Sequence, residues 1–185
     1  MANPHLEKNE HYSRSQSLWI VFWAYIIALA VGGAVVYVSR SLGPIYSVLL
    51  ADIAATVVIW GIGVRYSNAS LYDPYWSVIP LAIAGYWWSL SGFDITDSRK
   101  LLLLLVLTYW AIRLTSNWGV GWVGLRHEDW RYQNLRAKTG SAYQLVNLFG
   151  ICLFPTLIVF VGMLPAYIVL AEARQGRDPE RPFRD

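Results

Sequence analysis

The chain has 185 residues, of which 56% are hydrophobic and only 15% charged, and its mean hydropathy is +0.37. A soluble domain carries nearer a quarter charged residues, so this composition excludes an ordinary globular protein and points to the bilayer. The formal charge of +3, with no Lys/Arg-rich run, fits anionic headgroups and not nucleic acid, and the lone Cys152 excludes an intrachain disulfide and a zinc cluster.

Taken in chain order, the sequence predicts an all-α, polytopic membrane bundle of about five transmembrane helices. Residues 1–17 form a polar N-terminal tail with Glu7, Lys8, Glu10 and Arg14. Residues 18–39 follow without a charge, about the 20 apolar residues that span a hydrocarbon core, and longer than a cleaved leader's apolar region. Arg40 and Gly43-Pro44 punctuate the chain, and the second span, 44–64, is interrupted only by Asp52. Residues 65–73 are turn-like, with Asp73 placed to cap a third helix ahead of Pro74. That third span covers 75–91 with Pro80 inside it. The fourth, 100–117, opens on five leucines and ends in Arg113-Leu-Thr-Ser-Asn117. Residues 118–140 are the longest polar stretch between spans. The fifth span lies near 146–171 and holds Pro155 and Pro165, so a kink or tilt is expected. Residues 172–185 are a charged tail. Lys and Arg divide evenly between the two sides, so the positive-inside rule gives no orientation.

Three places carry chemistry. Asp52 stands mid-span, where a bare carboxylate is costly, and reads either as a proton donor or relay or as a packing hydrogen bond. Arg113 and Asn117 share one helix face at i and i+4, as a snorkelling anchor or a hold on an anionic group. The segment Gly121-Trp-Val-Gly-Leu-Arg-His-Glu-Asp-Trp-Arg-Tyr132 gathers His127, Glu128, Asp129, Arg131 and Tyr132 between aromatic anchors. It reads as an anion-binding cluster or as a solvated interfacial helix. The three histidines lie outside the spans, against a bis-histidine haem, and no dinucleotide or phosphate-loop glycine motif is present.

Asn68-Ala-Ser-Leu-Tyr-Asp-Pro-Tyr-Trp-Ser-Val-Ile-Pro80, Arg113-Leu-Thr-Ser-Asn-Trp118 and the 121–132 segment resemble, in order, the signature of the DUF1295 membrane proteins across about residues 45–170. That family is similar to the steroid 5-alpha-reductase C-terminal domain. The resemblance implies reduction of a carbon–carbon double bond in a lipid-like or sterol-like substrate by NADPH, with the 118–140 loop cytoplasmic. It implies Arg113, Asn117, His127, Glu128, Asp129, Arg131 and Tyr132 as cofactor-binding residues, and Asp52 or Tyr72 as the proton donor. It also implies further C-terminal helices with a Tyr/Arg/His-Pro-Asn-Tyr-type segment, which this chain lacks. The expectations are therefore weak or no NADPH binding by this chain alone and a second polypeptide supplying those helices. The alternatives are a noncatalytic protein that binds membrane lipids or a partner, and a proton-coupled transporter-like protein.

Overall fold

The computed structural model describes residues 7–171; the 172–185 tail and residues 1–6 of the 1–17 tail lie outside the described residues. The helices are α1 (Arg14–Ser39), α2 (Pro44–Arg65), α3 (Tyr75–Leu90), α4 (Ser98–Gly121), α5 (Trp130–Thr139), α6 (Tyr143–Val146) and α7 (Phe154–Ala171). Among the described residues there is no strand. Four stretches are long and apolar enough to cross a membrane: Arg14–Leu42, Pro44–Arg65, Ser98–Gly121 and Trp130–Ala171. The chain is thus an all-α, multi-pass membrane protein. The third expected span, 75–91, is α3, whose 16 residues rise about 24 Å and fall just short of a full crossing.

Local signals explain the boundaries. α1 starts at Arg14, earlier than hydropathy alone indicates, because Ser13 accepts from Gln16 N–H while the Gln16 side chain accepts from Ser13 N–H. Pro44 opens α2 at its first turn, after Gly43 at φ +87°. Asp97 caps α4 by accepting from Arg99 N–H at 2.9 Å. Asp129 caps α5, which turns half of the expected 118–140 loop into helix.

The long fifth run does not kink at a bare proline. α6 passes through a π-helical stretch, Asn147–Leu153, into α7, and Phe154 N–H donates five residues back to Phe149 C=O. The wider turn ends just ahead of Pro155, which has no N–H of its own to donate.

Packing is set by small residues. In α1, Ala24, Ala28 and Gly32 recur every four residues and face Ala51 and Ala55 of α2; a Cβ on Gly32 would meet the Ala51 carbonyl at 3.6 Å. Such stripes let backbones approach where lipid supplies no hydrophobic drive. α3 is the buried centre: Ala84 and Trp87 are wholly enclosed, and Trp87 meets Phe160 and Tyr167 of α7 edge-on. α4 is peripheral, burying only Lys100 and Ala111 and offering Leu102, Leu105, Tyr109 and Ile112 outward. The start of α1, the end of α2, the start of α3, the end of α4 and α5 meet at one end of the bundle, the polar pole.

Candidate functional site

The polar pole is locked by two loops, residues 66–74 and 122–129. Asn68 Nδ2 donates to the carbonyls of Leu125 at 3.0 Å and His127 at 2.9 Å. Glu128 Oε1 accepts from Ala69 N–H at 2.8 Å, and the Ser70 hydroxyl accepts from Asp129 N–H at 3.0 Å. Arg136 pairs with Glu128 at 3.1 Å and lies 3.9 Å over the Tyr143 ring. Glu128 has no exposed surface, so its charge is compensated inside the protein. α1 is fastened to the same pole by Arg14, which donates to the Trp122 and Gly119 carbonyls, and by Ser17, whose hydroxyl accepts from Leu125 N–H. Gly124 is required there: φ is +112°, and a Cβ would stand 2.9 Å from Ser17 Oγ.

Asp73 does not cap α3. Its carboxyl is half-buried and accepts the Tyr132 hydroxyl proton. Burial pushes Asp73 up to about 6, with the Tyr132 hydrogen bond pulling the other way. Burial, reinforced by the Asp73 charge, raises Tyr132 in turn. Asp129 is held below the ordinary carboxylate range by the Arg131 guanidinium, 2.9 Å away. Beneath this pair an open groove of about 290 Å³ runs between α3 and α7, with Tyr72, Asp73 and Tyr132 as its polar wall and Trp76, Phe154 and Pro155 among its apolar ones.

Asp52 lies on the other side of α3. It is 2% exposed, and Oδ1 accepts the Tyr75 hydroxyl at 2.8 Å. Oδ2 has no hydrogen-bond partner. The carboxyl lines a cleft of about 290 Å³ whose other walls are apolar: Ala28, Leu29 and Gly33 of α1, Ala51 and Ala55 of α2, Ile79, Ile83 and Tyr86 of α3. Leu29 and Gly33 are exposed, so the cleft opens toward the lipid. Asp52 is eight residues into α2, about 12 Å below its start.

These placements divide the residues named from sequence. Glu128, Asp129, Arg131 and Tyr132 are brought together, but chiefly with one another and with the 66–74 loop. His127 is exposed, with its carbonyl held by Asn68. Arg113 and Asn117 project from the exposed side of α4 and join neither loop by a hydrogen bond or ion pair. Asp52 and Tyr72 are both buried but face different cavities. Asn68, Asp73, Tyr75, Thr56 and Thr156 were not singled out as site residues. Tyr75 could have been: it lies three residues after Tyr72, on the turn that brings α3 against α2.

Of the residues assigned to a nicotinamide dinucleotide, Arg113, Asn117 and His127 are exposed, and the others are engaged within the pole. Glu128 is enclosed, Tyr132 is bound to Asp73, Arg131 is paired by Asp129, and the groove beside them has no cation in its wall.

The family model described as "Protein of unknown function (DUF1295)" matches residues 59–179. An uncharacterized protein of Schizosaccharomyces pombe is 28% identical over 116 residues, covering 61% of this chain and 34% of that protein. The chain thus spans about a third of the length of that relative. No solved structure matches the chain.

Proposed function

We propose, from the premise that this chain belongs to the DUF1295 family of membrane proteins, that it takes the carbonyl end of a lipid-like or sterol-like molecule into the cleft between α1, α2 and α3 and activates that carbonyl with the Asp52–Tyr75 pair. The observation that carries this reading is Asp52 Oδ2, a buried polar atom without a partner, on the wall of an otherwise apolar cleft. Buried polar atoms are nearly always satisfied, so one facing a cleft is a place for a ligand atom. An isolated ion in hydrocarbon is costly, so the pair suits a carboxylic O–H meeting a ligand acceptor, which a carbonyl supplies. Tyr75 anchors Oδ1 and leaves Oδ2 aimed at the ligand. The cleft is near the lower limit of ligand sites, so it holds the head of a lipid while the tail lies in the bilayer.

A hydrogen bond from the pair withdraws electrons from the carbonyl and makes a conjugated double bond open to addition. The reductases that the chain resembles draw their hydride from NADPH. Glu128, Asp129 and Tyr132 are engaged with the 66–74 loop or with Arg131, so the reading rests on the carbonyl-binding pair and routes no step through that cofactor. Under this reading the polar pole faces the cytoplasm.

The test is photo-crosslinking of an enone-bearing sterol or isoprenoid probe to protein in nanodiscs. Wild-type protein should label on α1–α3, and Asp52→Asn and Tyr75→Phe should each weaken labelling about ten-fold, the value of one buried hydrogen bond. Equal labelling of both variants, or labelling confined to the outer face of α4, refutes the reading.

A further inference from the structure

Between the two cavities on opposite sides of α3 lies a set of buried hydroxyls. The Tyr72 hydroxyl, in the wall of the groove at the polar pole, lies 2.8 Å from Thr156 Oγ1. Thr156 Oγ1 lies 2.8 Å from Thr56 Oγ1. Thr56 stands one turn after Asp52 on α2, and Asp52 Oδ1 accepts the Tyr75 hydroxyl at 2.8 Å. All five side chains are buried. They come from α2, α3, α7 and the turn before α3, so tertiary packing and not the repeat of one helix lines them up.

The direction of the hydrogen bonds follows from Tyr75. Its one proton is committed to Asp52, so its oxygen can only accept, and a path to Asp52 requires that it accept from Thr56. Thr56 then accepts from Thr156, and Thr156 from Tyr72. In this arrangement each hydroxyl donates once toward Asp52, and each but Tyr72 accepts once. The π-helical stretch before Pro155 belongs to the same device, because it sets the turn on which Thr156 leaves α7 for the bundle interior.

We propose that Tyr72, Thr156, Thr56 and Tyr75 form a proton path from the groove at the polar pole to the Asp52 carboxyl. The path deepens the function proposed above, since a carboxyl that gives its proton to a ligand deep in a bilayer must recover one. In one passage Tyr75 gives its proton to the Asp52 carboxylate and takes that of Thr56. Thr56 takes the proton of Thr156, Thr156 takes that of Tyr72, and Tyr72 takes one from water in the groove. Four hydroxyl O–H bonds break, the same four re-form, and the net change is one proton moved from water to the carboxylate. Asp73 and Tyr132 stand at the mouth where water enters. Thr56 and Thr156 are positioning residues that act through Tyr75.

The experiment is hydrogen–deuterium exchange of the Asp52 carboxylic C=O band, followed by infrared spectroscopy in nanodiscs and assigned by its loss in Asp52→Asn. On transfer to D2O, Thr156→Val and Tyr72→Phe should slow the shift of this band about ten-fold or more, and Thr156→Ser should restore the rate. A packing role alone would lower stability without changing the rate, and the serine variant would rescue neither. Wild-type exchange rates in both Thr156→Val and Tyr72→Phe overturn the path. So does the absence of any Asp52 C=O band across the pH range in which the protein stays folded. Should Thr156→Val fail to fold, Tyr72→Phe, which removes only a hydroxyl at the path's entrance, decides alone. Probe labelling unaffected by Asp52→Asn would remove the carbonyl-binding function and leave the path standing, so the two failures are distinct.

Discussion

Replacing Glu128 separates a ligand-binding cluster from a structural lock. Its Oε1 holds Ala69 N–H at 2.8 Å and Arg136 at 3.1 Å, and Oε2 stands 3.4 Å from the same guanidinium. Glu128→Ala strands an enclosed backbone donor, at about 1–3 kcal/mol. It also leaves a guanidinium, only 12% exposed, without its counter-ion. Breaking a buried pair from one side costs about 3–5 kcal/mol in all. Arg136 keeps the Ser67 carbonyl and the Tyr143 ring, which places the expected loss at the lower figure, about 3 kcal/mol. Glu128→Gln keeps an acceptor for Ala69 and loses only the charge, so about 1–2 kcal/mol is expected. The assay is tryptic cleavage at Arg126, an exposed residue on a segment that must detach before a protease can seat it. At about tenfold per 1.4 kcal/mol, cleavage should rise about 100-fold in Glu128→Ala and about five- to thirty-fold in Glu128→Gln. Cleavage of Glu128→Ala at the wild-type rate would refute the lock and return Glu128 to the residues free to bind a ligand.

Gly124→Ala should destabilise the pole by about 1–3 kcal/mol, read as a lower thermal midpoint in detergent, because it imposes a positive φ on alanine and a Cβ on Ser17 Oγ. A combined Ser17→Gly change should recover only part of that loss. Asp73 sets a pH dependence. Its folded value of about 6 exceeds the unfolded one, so between about pH 4 and 6 the native state keeps a proton that the unfolded chain releases. Stability should therefore fall as pH rises through that window and level off above it, and Asp73→Asn should abolish this slope; a slope unchanged in the variant would exclude Asp73 as its source. Ala28→Leu places extra methylenes between α1 and α2 and inside the cleft, so it should cost about 1–3 kcal/mol and block the enone probe. Retained labelling would place the ligand elsewhere.

The sequence by itself determined the membrane class, the five apolar segments and the punctuation between them. The physical reason is that lipid demands satisfied backbone groups over a fixed thickness, and only a run of about 20 apolar helical residues meets both demands. It also marked Asp52, since a carboxyl in such a run is conspicuous without any knowledge of its neighbours. Local capping chemistry was equally present in the chain: Ser13 with Gln16 starts α1, and Asp97 and Asp129 start α4 and α5. The roles of the 121–132 cluster were decided only by tertiary structure. Glu128, Asp129 and Tyr132 have the composition of an anion site, yet their partners are Ala69, Ser70 and Asp73, about sixty residues away in sequence. Which side a charged residue faces depends on that pairing, and spacing along one helix carries no record of it. The same holds for Tyr75, Thr56 and Thr156, which are ordinary helix residues until packing brings their hydroxyls into line with Asp52.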